Sequence, residues 1–236
     1  MPNKNHANEK LSEIGEEEIL QRLKKYMENG QIDDDTAVIE SKNKDIIINT
    51  DLLIENIHFN EKTNTPKNIG WKAVAVNISD LAASGVEEVI GITVGLAAPP
   101  STAWYWVDNV YKGIDAALNE YGGKLLGGDC SSSNQRMLSI TAFGRKGKIN
   151  LHRSNAKPGD LILTSGSHGL SRLGLSLLLS DQEIDPSNLS ELLKSKAIKA
   201  HQKPKAPIKA LQKLINCKPK TIPWSAAAAA DSSDGL

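Results

Sequence analysis

The sequence predicts a mixed α/β (α+β) protein, and three observations carry that expectation. β-like and helical runs alternate along the chain, Gly, Pro and Asp mark their ends, and 39% apolar residues over 236 positions suffice for a sizeable core. Taken in order, residues 1–14 read as a polar tail with no apolar stretch behind it, which is not the pattern of a secretory signal. Ser12 and the acids from Glu16 onward cap a helix over 16–27, with Ile19, Leu20 and Leu23 as its apolar stripe. The acidic loop Asp33-Asp34-Asp35 leads into strands over 36–39 and 45–54. Apolar positions at Ala73, Val74, Val76, Ile78 and Leu81 predict a helix over 68–84, stopped by Gly85. A strand over 88–96, a helix over 101–121 ended by Gly122-Gly123, and strands over 124–126 and 137–143 follow.

Pro158-Gly159-Asp160 is a strong turn signal, and the domain boundary is placed beside it. That gives an N-terminal domain over 15–155 and a partial C-terminal α/β domain over 156–236. The second part is expected to hold a strand over 161–164 and helices over 170–179, 189–201 and 207–214. The alanine run at 226–230 has no single reading as strand, helix or loop. The second half therefore has too few strands to close a sheet of its own.

Composition removes several function classes. With 28 basic and 28 acidic side chains the net charge is zero, against a nucleic-acid partner. No apolar run approaches the ~18 residues of a membrane span, and a soluble, cytoplasmic protein is expected. Cys130 and Cys217 make no disulfide or metal-ligand pattern, and Cys130 reads as a small buried residue. Walker-type and dinucleotide-binding glycine loops, protein-kinase loops, H-E-x-x-H and G-x-S-x-G are all missing.

One theme recurs: aspartate at an element's end, beside Thr, Ser or Gly. The instances are Asp33-Asp34-Asp35, Thr50-Asp51, Ser79-Asp80, Gly127-Gly128-Asp129 and Asp231-Ser232-Ser233-Asp234. Short, stiff carboxylates arriving from separate elements suit Mg2+, which takes hard oxygen ligands, keeps several waters and commonly accompanies phosphate. Gly127-Gly128 lets backbone N–H groups approach a phosphate. Any one of these clusters alone is ordinary turn or cap chemistry; five in one chain are harder to dismiss. Asn77 shares a helix face with Asp80. His58 is a candidate substrate contact or an exposed loop histidine, and Arg153 a candidate phosphate fork or a surface arginine. Trp104, Tyr105 and Trp106 read as core or interface anchors.

In this order the motifs resemble the thiamine-monophosphate kinase family, of the superfamily that includes aminoimidazole ribonucleotide synthetase and selenophosphate synthetase. The matching stretches are Gly15-Glu16, Asp34-Asp35-Thr36-Ala37, Thr50-Asp51, Ile57-His58-Phe59, the run from Lys72 through Asn77-Ile78-Ser79-Asp80-Leu81-Ala82-Ala83, Gly127-Gly128-Asp129, Arg153-Ser154 with Ala156-Lys157-Pro158-Gly159-Asp160, and Ser233-Asp234-Gly235-Leu236. The resemblance implies transfer of the γ-phosphoryl of ATP to thiamine monophosphate, without a covalent intermediate and with no catalytic acid, base or nucleophile. It implies Mg2+ ions held by Asp35, Thr50, Asp51, Asp80, Asp129, Asp231 and Asp234. ATP would be faced by Tyr111, Gly128, Asp129, Arg153 and Ser233, and thiamine monophosphate by His58. The family's fold is two α/β domains whose N-terminal sheets pair across a homodimer. Asp33 stands where the family usually has Gly, and Asn49 where it often has Ser. Family members continue beyond Ser-Asp-Gly-Leu, so an incomplete C-terminal sheet with exposed edges is expected. The alternatives are another ATP-using synthetase of the superfamily, or an inactive dimerising remnant.

Overall fold

The computed structural model describes residues 18, 21, 36–40, 42, 44–182, 184–217 and 226–232. Its centre is a five-stranded mixed sheet built from β1 (Ala37–Ile39), β2 (Ile46–Ile54), β3 (Val86–Ala98), β4 (Lys124–Ser132) and β5 (Met137–Lys146), in the order β1-β2-β5-β3-β4. All neighbours are antiparallel except β3 and β4, which run parallel. That parallel pair needs a crossover, and helix α2 (Trp104–Tyr121) supplies it.

Helix α1 (Pro66–Ala83) lies between the sheet and α2 and is buried on most of its circumference, from Ile69 and Trp71 to Leu81 and Ala82. Thr65 caps its N-terminus by accepting from the Asn68 N–H, and Pro66 begins the first turn, two residues before the expected start. The two helices touch backbone to backbone. A Cβ on Gly70 would lie 1.9 Å from the Val110 carbonyl oxygen, and one on Gly113 would lie 2.0 Å from that of Lys67. The sheet's helix-facing rows are apolar and closed: Ile47, Ile92, Val94, Leu138, Ile140 and Ala142 are fully buried. Strand alternation sends Ile46, Ile48, Leu52, Ile54, Met137 and Phe143 to the opposite face, which is covered by none of the described helices and is only partly buried. On that face the Thr50 and Thr141 hydroxyls meet at 2.9 Å.

The second half holds β6 (Asn150–Leu151), paired in parallel with β7 (Ala226–Ala227), and helices α3 (Leu170–Leu179), α4 (Glu191–Gln202) and α5 (Ile208–Asn216). Helices α3 and α4 also cross at a glycine, since a Cβ on Gly174 would lie 2.0 Å from the Ala197 carbonyl oxygen. They are fastened to the first half by Trp71 Nε1 donating to Pro204 O at 2.7 Å and Gln202 Nε2 donating to Thr63 O at 2.8 Å. The Lys203 ammonium stands 3.8 Å from the Trp71 ring centre.

Four expectations change. No strand forms over 161–164: Leu161, Ile162 and Leu163 are 90%, 91% and 80% exposed, because no described strand offers them hydrogen bonds or an apolar face. The strand expected over 124–126 runs on to Ser132, so Gly127-Gly128-Asp129 lies within extended backbone and not at an element's end. Cys130 is exposed, since β4 is an edge strand. Trp106 is buried as expected, against Phe59, but Trp104 and Tyr105 point to other sides of the same helical turn and are open to water. The helix expected over 16–27 lies outside the described residues apart from Glu18 and Gln21, both helical, as does the acidic loop Asp33-Asp34-Asp35.

Candidate active site

The site is built where the middle of β2 passes over the last two turns of α1. Asn49 and Asp51 are two apart on a strand and Asn77 and Asp80 are three apart on a helix, so each pair shares a face. Asn49 spends both amide hydrogens across the gap, donating to Asn77 Oδ1 at 3.0 Å and to Asp80 Oδ2 at 2.7 Å. Asn77 is fully buried, accepts a further bond from the Asp51 N–H at 3.2 Å, and anchors itself by donating to Ala73 O. The segment following β7 brings Asp231 to the same place, where the Ser79 hydroxyl donates to its carboxylate. It is held on course by Asn155 Nδ2, which donates to Ala227 O at 3.1 Å.

The carboxylates of Asp51 and Asp231 thus both act on that of Asp80. The Asp80 carboxyl is pushed up to about 8, first by burial and then by the charges of Asp51 and Asp231. Asn49 Oδ1 is buried and has no hydrogen-bond partner. A lone acceptor oxygen amid carboxylates that repel one another is a donor set suited to a hard cation. Among the described residues no three Asp, Glu, His or Cys side chains already stand at ligating distance, so amide oxygens and water would complete a coordination sphere.

Not every expected residue joins this cluster. Asp129 pairs in register with Gly95, which pairs with Ser139, which pairs with Leu52, so it belongs to the open face of the sheet and Asp51 to the helix face. Thr50 points to the open face as well, toward Thr141. Gly128 is required where it stands, because a Cβ would lie 2.0 Å from the Val94 carbonyl oxygen. Tyr111 on α2 is half-buried beside Cys130, and burial, then that thiol, pushes its hydroxyl up. Arg153 is exposed on a 3-10 turn, Arg153–Asn155, whose N-cap is His152. Asp35, Ser233 and Asp234 lie outside the described residues.

His58 sits in a tight loop after β2, away from the carboxylates. Its N–H donates to Ile54 O at 2.8 Å, its Nδ1 accepts from the Ile54 N–H at 3.0 Å, and its carbonyl accepts from Lys72 Nζ at 3.1 Å. Nδ1 as acceptor leaves the proton on Nε2, which is the ring's outward donor. Asn56 turns the loop with φ of 65°, Phe59 is buried and stacks on Trp106 at 6.4 Å, and Glu55 pairs with Arg136. Lys72 begins one of the family-matching stretches but carries no role of its own in the sequence, where it stands as a cation within the otherwise apolar run Trp71-Lys72-Ala73-Val74-Ala75-Val76.

Residues 33–146 match the family described as AIR synthase related protein, N-terminal domain. The thiamine-monophosphate kinase of Prochlorococcus marinus is 66% identical over 231 residues, covering 98% of this chain and 69% of that protein. The chain belongs to the thiamine-monophosphate kinase family. The kinase of Synechococcus elongatus is 40% identical, covering 96% of this chain and 68% of its own length. Among solved structures, that of AaThiL complexed with AMPPCP and TMP has a TM-score of 0.78 at 31% identity, over 88% of this chain and 65% of that one. The chain therefore spans about two thirds of the length of the kinases it matches. The likeness extends past the sheet into the second half, so the mixed α/β architecture is that of the thiamine-monophosphate kinases.

Proposed function

We propose that this chain serves the ATP-dependent phosphorylation of thiamine monophosphate to thiamine diphosphate, assisted by Mg2+. The observation that carries this reading is the Asp51, Asp80 and Asp231 cluster with its unpartnered Asn49 oxygen, in a chain 66% identical to a thiamine-monophosphate kinase. The described residues that would hold Mg2+ are Asp51, Asp80 and Asp231, with Asn49 Oδ1 beside them; Thr50 and Asp129, on the open face of the sheet, and Asp35 and Asp234 are assigned to further ions by family resemblance. When bound, Mg2+ supplies charge neutralisation between the phosphates of donor and acceptor.

The chain's own residues orient and shield. Asn77 fixes β2 to α1, and Ser79 fixes the approach of Asp231, so the carboxylates keep their spacing. Gly128, Asp129, Arg153, Tyr111 and Ser233 are assigned to ATP, and His58, through Nε2–H, to thiamine monophosphate. The acceptor is already an oxyanion, so no general base is needed, and none is assigned.

The half-open apolar sheet face supports a homodimer formed by sheet-to-sheet pairing. Among the described residues no helix is long and apolar enough to cross a membrane, and a cytoplasmic location is proposed with that. The N-terminal domain is taken as 15–155 and the C-terminal part as 156–236. The test is incubation of the chain with Mg-ATP and thiamine monophosphate, with chromatography for thiamine diphosphate. Product that requires Mg2+ and is lost in Asp51→Asn supports the reading; a folded chain giving no product and binding no ATP refutes it.

A further inference from the structure

We infer that Lys72 is a positioning residue for substrate recognition, holding the His58 carbonyl so that the imidazole presents Nε2–H at a fixed place. The inference rests on the assignment of thiamine monophosphate to His58. Three atoms of His58 are tied: N to Ile54 O, Nδ1 to Ile54 N, and O to Lys72 Nζ. The first two bonds are local to the loop and move with it. Only the third joins His58 to α1, the helix that also carries Asn77 and Asp80. The other tethers of the loop, Glu55 to Arg136 and Phe59 on Trp106, act on its ends.

Lys72 is an expensive choice for a merely structural contact. Burial pushes its ammonium below the ordinary lysine value, and no described carboxylate pairs with it. A methionine would fill the same length of helix without a buried charge. The imidazole of His201 on α4, buried and driven down to about 4 by burial and then by Lys72, stays neutral and offers no counter-charge. What the ammonium provides here is a strong, charge-assisted bond to one carbonyl oxygen.

The experiment compares wild type with Lys72→Met and Lys72→Arg in the thiamine-monophosphate kinase assay, together with 15N NMR of the His58 ring. In Lys72→Met we expect KM for thiamine monophosphate to rise about tenfold while kcat and KM for ATP stay within about threefold, and Lys72→Arg to recover most of the loss. The ring should keep the Nε2-protonated pattern that the local Ile54 bond sets, but its 15N signals should shift and broaden once the loop is no longer held to α1. An unchanged KM for thiamine monophosphate, an equal rise for both substrates, or an unchanged His58 ring spectrum would each overturn the inference. If wild type itself fails to turn over thiamine monophosphate, the functional reading falls, and the ring spectrum still decides the role of Lys72.

Discussion

Replacing Asp80 with Asn should stabilise the metal-free protein while removing its response to Mg2+. In the folded chain the Asp80 carboxyl is raised to about 8 from an ordinary 3.8, by burial and by Asp51 and Asp231. Between those values the folded state holds a proton that the unfolded chain has released, so stability falls as pH rises across that window. Taken whole, the shift would correspond to ~6 kcal/mol. Asp80 is only partly buried and shares its interactions with Asp51, so solvent screening reduces this, and about 1–3 kcal/mol near neutral pH is expected. Asn keeps the shape and still accepts from Asn49 Nδ2, which in wild type donates to Asp80 Oδ2 at 2.7 Å. Urea unfolding in EDTA should therefore show the variant more stable at about pH 7.5, with the two proteins converging as pH falls toward the ordinary carboxylate range. Adding millimolar Mg2+ should stabilise wild type and leave the variant unmoved. A variant no more stable than wild type in EDTA at neutral pH would refute the claim that these carboxylates repel one another.

Three further outcomes follow from other contacts. Gly70→Ala should lower stability by roughly 1–3 kcal/mol in thermal or urea unfolding, because its Cβ meets the Val110 carbonyl oxygen and the helices must separate. Arg136→Ala should cost about 2–4 kcal/mol, since it strands the largely buried Glu55 carboxylate and removes the cation 5.2 Å from the Trp106 ring centre. The Glu55 carboxyl is held below its ordinary 4.5 mainly by its hydrogen bond to Arg136, so the wild-type advantage should be present above about pH 4.5 and shrink as pH falls below it, which urea titrations at several pH values would show. Tyr121→Phe should cost about 1 kcal/mol and speed hydrogen exchange at Ala206, whose N–H donates to the tyrosine oxygen at 3.1 Å.

Much of the site's local arrangement could be read from spacing. Asn77 and Asp80 share a helix face and Asn49 and Asp51 a strand face in any such elements, and both elements form where periodicity and the Gly85 stop put them. What periodicity does not carry is long-range placement. Asp231 reaches Ser79 across 152 residues of sequence, through a two-residue strand in an alanine run with no pattern of its own. The face taken by Asp129 depends on β4 pairing with β3 past a register shift between Ile92 and Thr93, and such a shift leaves no mark in composition. The Leu161-Ile162-Leu163 run shows the converse: local propensity for a strand is strong, yet a strand exists only where a neighbour accepts its hydrogen bonds.

The long first helix also acts as a gauge. Lys72 and Asp80 are eight residues apart on one uninterrupted α-helix, a separation of ~12 Å set by backbone rise and not by any side chain. The histidine loop is hung from the first half of that rod and the acidic cluster is built on its last turns. Point substitutions along its surface leave the distance intact, whereas one inserted or deleted residue between the two ends would change it by ~1.5 Å and swing one end by roughly 100°. The spacing of the two sites therefore depends on the length of this stretch and not on which side chains it carries.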